Sequence, residues 1–167
     1  MSLPVLPDGC VIALAMSGII PFFDGHNDTI LRLYDPRADV KRPELFFQES
    51  SEGHIDLPRA RSAGMKGGFW ALFAPSPIEI DVARTDLSSM PPIAAPGQDE
   101  ALQVTMRLAA GLFELERLSD GGFRVVRSAE ELRRALDDDA YAAIFHIEGA
   151  EMIGADLDAL YVLHRAG

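Results

Sequence analysis

Pro21-Phe22-Phe23-Asp24-Gly25-His26-Asn27-Asp28-Thr29 is the stretch from which the rest of the chain can be read. A short apolar run, Gly18 to Phe23, stops abruptly at a cluster of metal-capable side chains. Val11–Leu14 and Ile19–Phe23 have the β-branched and aromatic content of buried strands. His26 and Asp28 lie two residues apart, so extended backbone carried this far puts both side chains on one face and Asn27 on the other. A neutral imidazole and a carboxylate converging in this way make half of a divalent metal site. A polar loop whose Asp and Asn cap the following helix satisfies the same spacing, and the stretch alone does not decide between the two.

Working outward, the chain alternates between strand and helix patterns. Thr29 to Tyr34 predicts a short helix ended by Asp35-Pro36, and Asp39 to Gly53 reads as an excursion or partly helical loop whose only apolar pair is Phe46-Phe47. Ile55 to Gly64 predicts one or two helical turns, with Pro58 near the start and Gly64 at the C-terminal end. Gly67 to Ala74 is a continuous apolar run bounded by glycines and Pro75, the pattern of a strand buried on both faces. Gly67-Gly68 precedes that strand and lacks the surroundings of a phosphate loop. Residues 75–97 form a proline-rich loop with no sustained period, expected to lie as a flap over the site.

From Gln98 to Leu118 the period becomes helical, with Leu102, Met106, Ala109, Leu112, Phe113, Leu115 and Leu118 as its apolar face. After Gly121-Gly122, Phe123 to Val126 is a short extended piece, and Ser128-Ala129-Glu130-Glu131 opens a capped helix running to about Asp137. Tyr141 to Ile147 is a third buried strand, ending in His146-Ile147-Glu148-Gly149-Ala150-Glu151. Asp156 to His164 predicts an amphipathic helix capped by Asp156, with Leu157, Leu160, Tyr161 and His164 along one side. Apolar strands alternating with helices are the signature of parallel βα units, here three of them within one domain over 1–167. Parallel sheets collect their sites at the C-terminal strand ends, and two such ends carry chemistry: His26 with Asp28, and Glu148.

Composition narrows the classes. The 167 residues suffice for one domain with a sizeable core, and 48% hydrophobic with 25% charged residues is globular. A formal net charge of −11, from 26 acidic and 15 basic residues, argues against nucleic acid and anionic membrane surfaces. The single cysteine, Cys10, excludes an internal disulfide framework and reads as a small buried hydrophobe in a reducing compartment. Val11 to Ile20 has no Lys or Arg before it, makes a poor signal peptide and is too short to span a bilayer, so a cytoplasmic protein is expected.

His26, Asp28 and Glu148 together supply an imidazole and two carboxylates at one rim, a donor set that zinc accepts. His146 precedes Glu148 by two residues and reads as a hydrogen-bonded interior histidine, a polar group near the site being the alternative. Asn27, Trp70 and Glu151 are further candidates for the surrounding shell or pocket, Glu151 reading more simply as an exposed loop carboxylate. His54, His164 and the acid run Asp137-Asp138-Asp139 read as structural or solvated.

Asp24-Gly25-His26-Asn27-Asp28 resembles the opening motif of the membrane (renal) dipeptidase family, peptidase family M19 of the amidohydrolase superfamily. Ile55 to Gly64 followed by Gly67-Gly68-Phe69-Trp70 resembles its second block, and Ile147-Glu148-Gly149-Ala150 its Glu-Gly signature. Most amidohydrolases open on His-x-His; His-x-Asp favours the dipeptidase branch. The resemblance implies the N-terminal part of a (β/α)8 barrel with two zinc ions, His26 and Asp28 binding one and Glu148 bridging both. It implies that a hydroxide between the metals attacks the carbonyl of a dipeptide, often one with a D-residue at the C-terminal position. His146 matches no family ligand, and Ile30-Leu31 stand where relatives often have Pro-Trp. The family completes its site with two later histidines and an acidic residue that have no counterpart up to Gly167, so a portion of a longer enzyme, inactive alone, is expected. An amidohydrolase acting on another amide or lactam, or an incomplete fragment serving as an interaction module, are the alternatives. A homodimer is left open.

Overall fold

The computed structural model describes residues 18–36, 38–77, 88, 92 and 94–167. The expected strand at Val11–Leu14, the environment of Cys10 and most of the proline-rich flap lie outside the described residues.

The sheet is four-stranded and wholly parallel, in the order β1-β2-β4-β3. β1 (Phe22–Asn27) is followed by three short helices, α1 (Thr29–Leu33), α2 (Glu44–Phe47) and α3 (Leu57–Ala63), before β2 (Met65–Phe73). The long helix α4 (Gln98–Leu118) leads to β3 (Phe123–Val126), α5 (Ala129–Asp137) to β4 (Tyr141–Glu148), and α6 (Asp158–Ala166) closes the order. Among the described residues no helix is long and apolar enough to cross a membrane.

The extended piece Phe123–Val126 is thus a full member of the sheet, pairing with β4 from Phe123↔Tyr141 to Val126↔Ile144. Phe123, Val125 and Val126 are buried, so a four-residue segment gains from pairing what it lacks in length. Among the described residues, β4 is covered on this edge only over its first half. The first strand also begins later than its apolar run suggests: Ile19 and Ile20 are exposed, and pairing with β2 carries the extended backbone on to Asn27. Gly67 and Gly68 fall inside β2, and a Cβ on Gly67 would lie 2.1 Å from the Ala142 carbonyl oxygen and 2.4 Å from the Phe23 ring. Glycine here is what lets β1 and β4 close on β2 from either side.

One face of the sheet carries the main core. Phe46, fully buried on the four-residue helix α2, stands with its ring centroid 5.2 Å from Trp70, 5.3 Å from Phe123 and 6.0 Å from Tyr141. The charged excursion 39–53 therefore delivers one aromatic plug, and edge-to-face contacts of this kind add to simple burial. On α4 the buried stripe is Ala101, Thr105, Leu108, Ala109, Leu112 and Leu115; Met106 and Leu118 face outward. Small and hydroxyl side chains at 101 and 105 turn the stripe away from the one that hydrophobicity alone marks. On α6 only Leu163 is buried, while Leu157, Leu160 and Tyr161 are exposed. The expected cap, Asp156, lies one residue too early: the N-cap is Leu157, at φ +63° and without a side-chain cap, and Asp156 Oδ1 accepts only from the Asp158 amide, at 3.2 Å. Asp138 and Asp139 are not merely solvated: they pair with Arg124 at 2.7 Å and Lys66 at 2.6 Å, tying the end of α5 to β3 and β2.

Asp56 organises the approach to β2. Fully buried, it caps α3 by accepting from the Arg59 amide, and it also accepts from the Ser50 amide and the Arg59 guanidinium. Burial alone would raise its carboxyl, but these hydrogen bonds outweigh that and hold it below the ordinary carboxylate range. A carboxyl depressed in the folded state stabilises it above the unfolded value of about 4 and loses that contribution as pH falls through the folded value. Asp56→Asn is accordingly expected to flatten the acid limb of the stability–pH profile below about pH 4, read by thermal melts across pH; an unchanged limb would contradict the assignment. Phe46→Ala should lower unfolding free energy by about 3–5 kcal/mol in urea titration, and a loss under ~1 kcal/mol would remove Phe46 from the core.

Candidate metal centre

Parallel pairing brings strand C-terminal ends to one edge. β2 lies between β1 and β4, with Asn27 opposite Trp70 and Glu148 opposite Phe73. Side chains from the two outer strands therefore meet over the end of the middle one. His26 Nε2 stands 3.2 Å from Glu148 Oε2 and 3.6 Å from Asp28 Oδ1, and the three donor atoms all lie within 4.8 Å of one another. Each side chain is about half exposed, at 43%, 56% and 44% for His26, Asp28 and Glu148.

The local backbone explains the convergence. Between Asp24↔Gly68 and Asn27↔Trp70 three steps on β1 match two on β2, a bulge at Gly25-His26. Bulges re-aim side chains, and this one turns Asn27 inward, where it is 8% exposed. Asn27 Nδ2 donates to Asp24 Oδ2 at 2.9 Å and to the Phe69 carbonyl at 3.3 Å, while Oδ1 accepts from the Thr29 amide at 3.2 Å. Asp28, although it occupies the N-cap position of α1, makes no capping hydrogen bond. The capping work falls to Asn27, and the Asp28 carboxylate is left facing His26. Both halves of the sequence reading are therefore present, divided between neighbouring residues.

His146 packs edge-on against His26, ring centroids 5.4 Å apart, and against Phe69 at 6.0 Å, and Phe69 in turn meets Phe23. This row crosses β1, β2 and β4 on the sheet face opposite the main core and steadies the His26 ring. Trp70 belongs to the core and not to the rim: it is fully buried among Phe46, Phe123 and Tyr141. Glu151 is half-buried and folds back over Gly149, whose φ of +85° favours glycine, and Glu151 Oε2 is buried without a hydrogen-bond partner among the described residues. His54 lines the cleft beside His26 and Asp28, and His164 is exposed on α6.

The donor set suits a divalent cation. Two ligands at about 2.1 Å from a tetrahedral ion stand roughly 3.4 Å apart, close to the spacings of His26 from Glu148 and Asp28. Two clefts flank the cluster. One of about 410 Å³ is lined by Asp28, Leu31, Arg32, Phe73 and Glu148, and one of about 370 Å³ by His26, Asp28, Arg32 and His54. Arg32, common to both, escaped the sequence reading; its place four residues after Asp28 on a helix was the available signal.

The profile of the membrane dipeptidase family, peptidase family M19, matches residues 13–167. Among solved structures, a metallopeptidase called dipeptidase AC, of family M19, is 40% identical with a TM-score of 0.74, over 89% of this chain and 40% of its own. A metallopeptidase from Rhodobacter sphaeroides, liganded with a phosphinate mimic of the dipeptide L-Ala-D-Ala, is 39% identical with a TM-score of 0.76, over 89% of this chain and 44% of its own. Dipeptidase verJ from Clonostachys rogersoniana is 25% identical over 166 residues, 98% of this chain and 40% of its own length. The chain spans between 40% and 46% of the curated relatives it matches. Its parallel sheet and helices are a section of the TIM-barrel architecture of these dipeptidases.

If Asn27 holds the turn, Asn27→Ala should cost about 1–3 kcal/mol, since Thr29 N–H and the Phe69 carbonyl lose their partner. In the full-length protein it should also weaken divalent-metal affinity by about 10- to 100-fold, measured by competition with a chromophoric chelator. Unchanged stability and affinity together would show that the bulge holds without it.

Proposed function

Since the chain belongs to the membrane dipeptidase family, peptidase family M19, we propose that the intact protein is a zinc-dependent dipeptidase with His26, Asp28 and Glu148 among its metal ligands. The carrying observation is the meeting of one imidazole and two carboxylates within 4.8 Å at the ends of β1 and β4. In this reading His26 and Asp28 hold one ion. Glu148, whose Oε2 stands 3.2 Å from His26 Nε2, would contribute to holding both ions. Zinc bound there supplies Lewis acidity toward a carbonyl and makes water nucleophilic at neutral pH.

This chain's own residues do the rest. Asn27 fixes the turn that separates His26 from Asp28, and His146 with Phe69 limits rotation of the His26 ring. The clefts of about 410 and 370 Å³ beside the cluster are of a size for a dipeptide and would orient it with its peptide bond at the shared rim. The mimic held by the Rhodobacter sphaeroides relative corresponds to an L,D-dipeptide, which supports tolerance of a D-residue at the C-terminal position.

The test uses the full-length protein. Metal analysis after zinc reconstitution should give about two ions per chain, in line with two-metal hydrolases. Hydrolysis of L-Ala-D-Ala and L-Ala-L-Ala should disappear with a chelator and return with zinc. Glu148→Gln should lower kcat by more than about 100-fold, exceeding what loss of an outer-shell group brings. Protein that retains no metal after zinc reconstitution and cleaves no member of a dipeptide panel would refute the proposal, and cleavage of N-acyl amino acids alone would replace it with another amidohydrolase activity.

A further inference from the structure

Asp24 opens the stretch that carries His26 and Asp28, and the metal reading gives it no task. Among the described residues, the three converging donors do not include it. It lies half-buried on β1 opposite Gly68 of β2, and its Oδ2 accepts from Asn27 Nδ2 at 2.9 Å. Gly68 makes the room for this pair. A Cβ there would stand 3.0 Å from Asp24 Cβ and 3.1 Å from both Asp24 Oδ2 and Asn27 Nδ2.

The side-chain amide of Asn27 has a donor end and an acceptor end of nearly the same shape. Its surroundings tell the two apart. The Phe69 carbonyl, at 3.3 Å, needs a donor, and the Thr29 amide, at 3.2 Å, needs an acceptor. Both contacts are at the long end of the range for N–H to O hydrogen bonds, and both partners are neutral. The Asp24 carboxylate can only accept, and its contact is the shortest of the three. A charged acceptor also makes a bond roughly twice as strong as a neutral one. Turning the amide over would set Oδ1 against two acceptors and Nδ2 against the Thr29 N–H. Asp24 therefore decides which end of Asn27 reaches Thr29. That end closes an Asx turn, which sets the direction of the chain between His26 and Asp28.

We infer that Asp24 is a positioning residue: acting through Asn27, it selects the amide orientation that keeps His26 and Asp28 at ligand spacing, 3.6 Å between Nε2 and Oδ1. The inference rests on the dipeptidase reading above and adds to it a group that shapes the site without touching metal or substrate.

The test uses full-length protein and three readouts: divalent-metal affinity by chelator competition, dipeptide hydrolysis, and hydrogen exchange of the Thr29 amide resolved to the residue. Asp24→Asn removes the acceptor-only group at unchanged size, and should weaken metal affinity by about 10- to 100-fold and speed Thr29 exchange. Combining Asp24→Asn with Asn27→Asp reverses donor and acceptor at unchanged net charge. The amide at position 24 then donates to the carboxylate at position 27, whose other oxygen accepts from Thr29, and most of the lost affinity and hydrolysis should return. A merely structural carboxylate would show no such rescue. Wild-type exchange covers the case in which Asp24→Asn does not fold: the Thr29 amide should be protected before metal is added, because the turn is set by Asp24 and Asn27. An Asp24→Asn variant with wild-type metal affinity, a folded double variant without recovery, or a freely exchanging Thr29 amide in metal-free wild type would overturn the inference. A wild-type protein that takes up no metal would instead bring down the dipeptidase reading, and this inference with it.

Discussion

His26 and Glu148 meet at 3.2 Å although they belong to strands that do not touch each other. Everything about the sheet bears on that distance. Parallel pairing sends both C-terminal ends to the same edge, β2 spaces them two strand intervals apart, roughly 9.5 Å, and only long side chains leaning inward can close the gap. The glycine at position 67 lets β1 and β4 approach β2 from either side. A bulge at Gly25-His26 then re-aims the end of β1. Because the three donors are about half exposed, burial does not lock them; the backbone and the aromatic row behind His26 do.

Much of this was legible in the sequence because the signals were local. The apolar run at 67–74, the Pro58 and Gly64 punctuation around α3 and the capping box at Ser128 each report on neighbouring residues, and the elements followed. What escaped depended on pairing. Phe123 to Val126 is too short to announce itself, and becomes a strand because β4 offers it a ladder. How far β1 runs was open for the same reason, hydrophobicity stopping at Phe23 while the strand continues to Asn27. His26, Asp28 and Glu148 could be grouped in advance because strand ends of a parallel sheet must share a rim. Which of Asn27 and Asp28 caps α1 could not, since both are good caps and only the bulge distinguishes them. Trp70 shows the opposite failure: its place within a family-like motif suggested the pocket, but its side chain points to the core.

The excursion between α1 and α3 does two jobs with few residues. Phe46 plugs the aromatic core, and Ser50 to Ile55 wraps a pair of arginines around Asp56 and α1. A charged segment with little hydrophobic content thereby becomes the wall of a cleft. Its order is supplied by hydrogen bonds to one buried carboxylate, and the orientation of Arg32 depends on that order.

β3 accompanies β4 only as far as Ile144. Beyond it, among the described residues, no strand pairs with the outer edge of Phe145 to Glu148, the part of β4 that carries His146 and Glu148. An edge of this kind is a template for another strand. Any strand docking there in parallel brings its own C-terminal end level with Glu148, so the ladder that extends the sheet also delivers new side chains to the rim. Closing the architecture and furnishing the chemistry are, along this edge, one and the same event.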